Sequence, residues 1–208
     1  FTVTLDASGA EFYNTVIALA PSPIEKEVIW AGSDDGLIHL SQDGGDSWKE
    51  VGKQIKGMPK GAWVARIIAS EHDAGTAWAV VNDYRRGDYS PYLFKTANYG
   101  KSWQSMVAED SPVYGYALSF IQDPEEEDLL FLGTENGLWI SFDGGANWEQ
   151  FKNGFPSVST MDMKIQRNES ALIVGTFGRA IWILDDLQSL RTYVREEKSR
   201  SLVASKVN

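Results

Sequence analysis

Three stretches of this sequence share one pattern: Ser41-Gln-Asp-Gly-Gly-Asp-Ser-Trp48, Thr96-Ala-Asn-Tyr-Gly-Lys-Ser-Trp103 and Ser141-Phe-Asp-Gly-Gly-Ala-Asn-Trp148. Each begins with a hydroxyl residue and has Asp or Asn third, Gly fifth and Trp last. The copies start 55 and 45 residues apart, and recurrence at such a spacing indicates a repeat architecture. The chain is therefore predicted to consist of repeated units of roughly 40–50 residues.

The residues between these copies predict four β-strands in each unit. Short runs rich in β-branched and aromatic residues, separated by Gly, Asp, Asn and Pro, are typical of strands. The first runs of the four units are residues 16–20, 63–68, 116–121 and 161–165, and residues 172–184 repeat the next two runs without the final pattern. Four strands in each unit of this length predict an all-β protein. We expect a β-propeller with four consecutive four-stranded antiparallel blades, as part of a larger ring.

The repeats also predict where each blade begins and ends. Residues 191–208 are a tail, expected to be a helix, a strand or disordered, and residues 1–11 are a leading strand or a connection from a preceding blade. Phe1-Thr-Val-Thr-Leu5 could instead supply the outer strand of the last blade and close a small ring. The predicted blades are residues 12–57, 58–110 with a loop insertion, 111–155, and an incomplete blade at 156–190.

Each copy of the pattern is predicted to close a hairpin. Its Asp or Asn accepts N–H groups of the following turn, and its Gly adopts a positive φ. Its Trp starts the outermost strand and lays a large ring over the edge of the blade. These acidic residues are interpreted as turn formers rather than catalytic groups or metal ligands. The structural residues are Ser41, Asp43, Gly45, Trp48, Thr96, Asn98, Gly100, Trp103, Ser141, Asp143, Gly145 and Trp148.

Composition excludes several classes of protein. The 208 residues include 19 Lys and Arg against 29 Asp and Glu, a net charge of −10, which argues against a nucleic-acid partner held through phosphates. The absence of Cys excludes disulfides and thiolate metal sites. No apolar run reaches the roughly 18 residues of a membrane span. Neither a cofactor nor a metal is expected, and a start at Phe1 suggests a processed or excised chain.

The pattern Ser/Thr-x-Asp-x-Gly-x-x-Trp resembles the Asp box, or BNR repeat. That repeat occurs in sialidases, xyloglucanase-type glycoside hydrolases, the sortilin/VPS10 propeller and photosystem II assembly propellers. Residues 29–36 and 175–186 make the chain similar to large bacterial sortilin-like BNR proteins often labelled glycosyl hydrolases, with Phe177 where those usually carry His. The second box departs from the pattern at Asn98. The resemblance implies a propeller in an extracytoplasmic protein, either secreted or periplasmic.

No catalytic residue is predicted. The Arg-Ile-Pro segment expected of a sialidase does not occur in the sequence, and no carboxylate pair of the kind that cleaves glycosidic bonds can be selected from it. His39 and His72 lie too far apart in the repeat for a metal site or a catalytic triad. Residues 123–128, Asp-Pro-Glu-Glu-Glu-Asp, are interpreted as a solvated turn, and Asp185-Asp186 as a cap for the next segment of the chain.

Strand order predicts a ligand face. In a four-stranded meander, the loops between second and third strands emerge at the same end as the connections between blades, opposite the box hairpins. The predicted ligand face collects residues from all four such loops. The inserted loop in the second blade combines Tyr and Arg, a mixture enriched at recognition surfaces. The candidate ligand-face residues are Asp34, Asp35, Tyr84, Arg85, Arg86, Tyr89, Glu135 and Arg179.

Three functional hypotheses are compatible with these features. The first is a non-catalytic interaction module that binds a peptide, a protein or a glycan. The second is part of a glycoside hydrolase whose catalytic carboxylates lie outside this segment or cannot be identified in it, and the third is a structural or assembly-factor subunit. Because blades at the ends of an open arc expose apolar faces, the remaining propeller blades or a second copy of the chain are also expected partners.

Overall fold

The computed structural model describes the backbone of residues 14–206 and the side chains of residues 14–199. Within these described residues, three four-stranded sheets and one three-stranded sheet follow one another. Within each sheet, neighbouring strands are consecutive in the sequence and antiparallel, so the predicted all-β meander is confirmed. The strand or connection predicted for residues 1–11, with its possible ring-closing segment Phe1 to Leu5, lies outside the described residues.

Each sheet runs from an inner first strand to a short or absent outer strand. A single helix, α1 (Leu187–Lys206), follows the last sheet. The fourth sheet has no outer strand in the described chain. The strands are β1 Val16–Pro21, β2 Ile29–Ser33, β3 Ile38–Ser41 and β4 Lys49–Glu50; β5 Trp63–Ala69, β6 Ala77–Asp83, β7 Asp88–Thr96 and β8 Gln104–Ser105; β9 Ala117–Gln122, β10 Leu130–Thr134, β11 Gly137–Ser141 and β12 Glu149–Gln150; β13 Thr160–Gln166, β14 Ala171–Thr176 and β15 Ile181–Leu184.

The first strands of the four sheets lie side by side. Strand β5 contacts β1 and β9, and β9 contacts β13, so together they line a cavity of about 410 Å³. Arg66 on β5 reaches Asp162 on β13 across it, at 3.7 Å. Each first strand also carries a register shift near its beginning, and such bulges increase local twist. The repeat is therefore visible in the backbone as well as in the sequence, because the same register shift recurs in every described first strand.

The hydrophobic core lies between the faces of successive sheets. Trp30 and Phe94 belong to the cluster between the first and second sheets, and Trp78 and Trp139 to the cluster between the second and third. The third cluster lies between the last two sheets and includes Leu187 and Val194 of α1. The helix therefore helps to bury the apolar side chains of the last two sheets.

The three box hairpins share one hydrogen-bond arrangement. In the first, the N–H of Gly45 donates to Ser41 Oγ at 2.8 Å, and the N–H of Ser47 donates to Asp43 Oδ1 at 2.9 Å. The second and third boxes make the equivalent bonds. The fifth-position Gly residues have φ values of 105°, 72° and 95°, a region that favours glycine. Each box Trp lies one residue before the outer strand instead of starting it.

The acidic segment at residues 123–128 was predicted to be solvated, and this is wrong. Asp123 is fully buried and Glu126 is 6% exposed. Arg191 of α1, itself fully buried, donates to both carboxylate oxygens of Asp123 at 2.9–3.0 Å. Lys198 and Arg195 pair with Glu126. The segment is therefore the docking site of α1, and the tail predicted from residue 191 belongs to a helix that begins at Leu187.

The turn that begins this docking site recurs in the first two sheets. The turn between first and second strands begins at Ser22 in the first sheet and at Ser70 in the second, where the Ser Oγ accepts two N–H groups of the turn. Asp123 occupies the same place in the third sheet, and its Oδ1 accepts the N–H groups of Glu125 and Glu126. A carboxylate keeps the turn and adds the charge that pairs with Arg191.

The predicted cap at the start of the helix is present. Asp186 directly precedes α1, and its carboxylate accepts the N–H of Ser189 at 3.2 Å and the Ser189 hydroxyl. These bonds to the side chain and the backbone of Ser189 lower the pKa of Asp186. A side-chain acceptor at this position satisfies one of the N–H groups that a helix leaves free at its start.

Apolar side chains are exposed at both ends of the array of sheets. Leu19 on β1 is 65% exposed, and Ile181 on β15 is 69% exposed. Phe177, in the loop before β15, is 75% exposed. No helix within the described residues is long and apolar enough to cross a membrane.

Candidate ligand-binding face

Four loops emerge at the same end of the sheets, because each joins a second strand to a third. They comprise residues 34–37, 84–87, 135–136 and 177–180. The first strands also begin at this end, so Trp63 at the start of β5 and Tyr116 just before β9 share it. The loop of the second sheet forms a 3-10 helix, Tyr84–Arg86, that ends at Gly87 with φ 85°.

An aromatic cluster formed by Trp63, Tyr84, Arg85, Tyr89 and Tyr116 occupies this end. The rings of Tyr84 and Tyr116 are stacked with centroids 4.4 Å apart, and Tyr89 lies 6.1 Å from Tyr116. The guanidinium carbon of Arg85 lies 3.3 Å from the ring centroid of Trp63 and 4.5 Å from that of Tyr84. Tyr89 is 57% exposed. The cluster therefore offers stacked rings and a cation held by π contacts to an incoming group.

Charge around the cluster is mixed. Burial raises the pKa of Tyr116, and the nearby charge of Glu135 adds to this, whereas Arg85 opposes it. Tyr116 therefore stays protonated at neutral pH and keeps its hydroxyl as a donor. The backbone N–H of Glu135 donates to the carbonyl oxygen of Tyr116 at 3.0 Å, which fixes the third-sheet loop beside the cluster.

The other predicted face residues lie at the same end but outside the cluster. Asp34 is 8% exposed and accepts the N–H groups of residues 14 and 15 at 2.9 and 2.8 Å. Asp35 accepts the hydroxyl of Ser33. Arg86 pairs with Asp83, the last residue of β6, at 2.6 Å. The Arg179 side chain is exposed in the fourth-sheet loop.

Trp63 and Tyr116 belong to the cluster but not to the set predicted from sequence. Both were assigned to first strands, and a strand assignment gives no indication that a residue sits at the exposed end. The signal that could have identified them is their position: each is the first residue of a predicted first strand, next to a connection between blades.

Every described carboxyl group with a resolved pKa shift has a lowered pKa, so these groups are ionised at neutral pH. Burial raises the pKa of Asp88, but the hydrogen bonds from the Tyr92 hydroxyl and the Ser90 N–H lower it by more, so the net shift is downward. The pKa of Asp43 is lowered to about 2 by the side chain and backbone of Ser47 and by Ser41. A general acid for glycoside cleavage needs a shift in the opposite direction. The pKa values of Asp43 and Asp88 are therefore not shifted in the direction that a general acid needs.

The two histidines lie in or next to strands and far from each other in the repeat. His39 lies within β3. His72 follows β5, and its Nε2 donates to the carbonyl oxygen of Asp123 at 2.8 Å, which links the second and third sheets. Among the described residues, no group of three or more His, Asp or Glu side chains is arranged to hold a metal ion.

Comparison with known families and sequences gives two matches. The model of the family described as Sortilin-Vps10, "Sortilin, neurotensin receptor 3", matches residues 36–189. Vacuolar protein sorting/targeting protein 10 of Laccaria bicolor is 31% identical over 108 residues, which is 51% of this chain. The chain covers 6% of that relative.

Solved structures resemble the chain in fold. The GH74 xyloglucanase from Xanthomonas campestris superposes with a TM-score of 0.65 at 16% identity, over 84% of this chain and 29% of that one. YCF48 bound to D1 peptide superposes with a TM-score of 0.58 at 13% identity, over 85% of this chain and 56% of that one. The described sheets are consecutive blades of a partial β-propeller, as predicted.

Proposed function

Because the chain belongs to the Sortilin-Vps10 family, we propose that it is a non-catalytic interaction module whose aromatic cluster binds a peptide segment of a partner protein. The observation that carries the proposal is the contact of Tyr84, Tyr89 and Tyr116 around the Arg85–Trp63 pair. These side chains come from two neighbouring blades, so a ligand lying on them bridges the junction.

The physical basis is the low entropic cost of binding to rigid rings. Tyr and Trp lose few rotamers on binding, and together with Arg they supply most of the residues that dominate binding energy at interfaces. Tyr89 is exposed, whereas Tyr84 and Arg85 are partly buried and already held by stacking. The peptide bound by the structurally similar YCF48 supports the same class of ligand for this fold.

The proposal includes location and assembly. An extracytoplasmic location, secreted or periplasmic, rests on the resemblance to sortilin-like proteins. Additional propeller blades, or a second copy of the chain, would cover the apolar faces around Leu19 and Ile181, which are exposed in the described structure. Contiguous exposed apolar surface is a common sign of such contacts.

A glycan is the second candidate ligand, favoured by the similarity to a GH74 xyloglucanase and by the capacity of exposed Tyr rings to stack on sugars. In that case the chain would be part of a glycoside hydrolase whose catalytic carboxylates lie outside this segment or cannot be identified in it. Titration with xyloglucan oligosaccharides distinguishes the two, because only the second candidate predicts saturable binding of sugar that depends on Tyr89.

The test compares two adjacent arginines. Peptides selected on the wild-type chain from a random phage-displayed library are labelled, and their affinities are measured by fluorescence anisotropy. We expect Arg85→Ala to weaken binding by about tenfold, as for an interface residue of high energy. Arg86→Ala is the matched control, since Arg86 pairs with Asp83 outside the cluster, and it should leave affinity within about twofold.

Tyr89→Ala provides a second variant with little structural risk, because this side chain is 57% exposed. It should lose about as much affinity as Arg85→Ala while its melting temperature stays that of the wild type. Unchanged peptide affinity in both Arg85→Ala and Tyr89→Ala would remove the aromatic cluster as the binding site.

A further inference from the structure

A second concave surface lies at the outer part of the junction between the second and third blades, and none of its lining residues belongs to the aromatic cluster. One side is the segment that follows β8, up to Pro112, and the other is the third box hairpin. We call this surface the rim groove. Its volume is about 960 Å³, at the upper end of the roughly 300–1,000 Å³ typical of ligand sites.

The base of the rim groove is apolar and well ordered by packing. Trp148 is 4% exposed, and its Nε1 donates to the carbonyl oxygen of Met106 at 2.9 Å. Phe142 and Tyr193 of α1 meet edge to face with centroids 5.0 Å apart. Tyr193 is 48% exposed, so half of its ring is available to another molecule although α1 is fixed by the buried Arg191 pair.

The charges around the rim groove have one sign. Asp110, Asp143, Glu149 and Glu197 line it, and no Lys, Arg or His is among its described lining residues. Asp110 and Glu149 are exposed. The groove thus combines an aromatic base with a carboxylate border, in a chain whose net charge is −10.

We propose that the rim groove binds an extended basic segment of a partner protein, with Lys or Arg side chains on Asp110 and Glu149 and an apolar side chain against Tyr193. A peptide suits a groove of this size that is bordered by two chain segments and α1. The negative surroundings attract a cationic segment and raise its association rate, and the aromatic base supplies contact area that does not depend on charge.

The test uses two synthetic peptides and two charge-matched variants of the chain. The probe is a fluorescein-labelled peptide, Gly-Lys-Leu-Lys-Tyr-Arg-Gly, and its neutral counterpart has Gln at each basic position. We expect the basic peptide to bind the wild-type chain saturably. Removing two exposed carboxylates with Asp110→Asn and Glu149→Gln should weaken its binding about fivefold, with an unchanged melting temperature.

The control variant removes the same charge from the surface of the first blade. Glu27→Gln with Asp46→Asn neutralises two exposed residues of the first blade and should leave affinity within about twofold. Tyr193→Ala should also weaken the basic peptide, whereas Arg85→Ala should not, so failure here is separable from failure at the aromatic cluster. Equal loss in both charge variants, equal binding of the neutral peptide, or no saturable binding of the basic peptide would each overturn the proposal.

Discussion

Trp48 and Trp148 occupy the same place in two boxes that share Ser, Asp, both Gly residues and Trp, yet their surroundings differ. Trp148 is 4% exposed, and its indole N–H donates to Met106 of the preceding blade at 2.9 Å. Trp103 behaves likewise toward Val51, at 3.1 Å. Trp48 is 44% exposed and donates to Gly45 of its own hairpin at 3.0 Å. The hydrogen bonds of the hairpin therefore form within the box itself. The burial of the Trp ring, in contrast, depends on contact with a neighbouring blade.

The box glycines show the same contrast. A Cβ added at Gly145 would lie 2.4 Å from Met106 Cε, and one at Gly100 would lie 2.6 Å from Val51 Cβ. A Cβ added at Gly45 would meet only its own Trp48, at 3.9 Å. The fifth position of the box thus serves two purposes: it allows a positive φ in every blade, and it allows close approach to a preceding blade where one is present.

The largest predicted effect compares the two tryptophans directly. Trp148→Ala removes a buried ring and leaves a cavity at the junction, so we expect it to lower the free energy of unfolding by about 3–5 kcal/mol. Trp48→Ala removes a side chain that is nearly half exposed and should cost about 1 kcal/mol or less. Equilibrium unfolding in urea measures both. Equal losses would mean that the neighbouring blade does not determine the contribution of the Trp.

How far the sequence predicts the molecule depends on the same distinction between local and neighbour-dependent structure. Strands and box hairpins could be predicted because Gly, Asp and Trp recur at fixed short spacing. The Arg191–Asp123 pair could not, since 68 residues separate its members and an acidic run usually indicates a solvated surface. Tyr84 and Tyr89 could be placed at one end by strand order, but their contact with Tyr116 depends on how two blades pack.

A smaller effect is predicted for the glycines. Gly45→Ala and Gly145→Ala both place a side chain at positive φ, which costs about 1–2 kcal/mol in either hairpin. Gly145→Ala additionally forces Met106 to move, and because Met is flexible the extra cost should be about 1 kcal/mol. A double-mutant cycle with Met106→Ala measures this extra term. A coupling energy near zero would show that Met106 does not constrain the glycine.

The smallest effect concerns protonation of the two box carboxylates. Hydrogen bonds from the Ser47 side chain and backbone and from Ser41 lower the pKa of Asp43 to about 2. At Asp143 burial raises the pKa, and the bonds from Asn147 and Ser141 outweigh it, so the net shift is still downward. Both carboxyl groups should therefore titrate below the unfolded value of 3.8. Carboxyl chemical shifts followed by NMR test this, and a titration midpoint at or above 3.8 for either group would contradict it.

The lowered pKa values determine how the stability of the fold changes with pH. A carboxylate whose pKa is lower in the folded state contributes stability that is complete above the unfolded value of 3.8 and is lost as pH falls toward about 2. Replacing Asp43 and Asp143 with Asn should therefore reduce the loss of stability between pH 5 and pH 2.5, as measured by urea unfolding. Asn98 already makes the equivalent turn bond, to the Ser102 N–H at 2.9 Å, so these variants should keep the hairpins. Asn98→Asp is the reverse substitution and should increase the loss; an acid response unaffected by all three changes would contradict the assignment of these carboxylates to the turns.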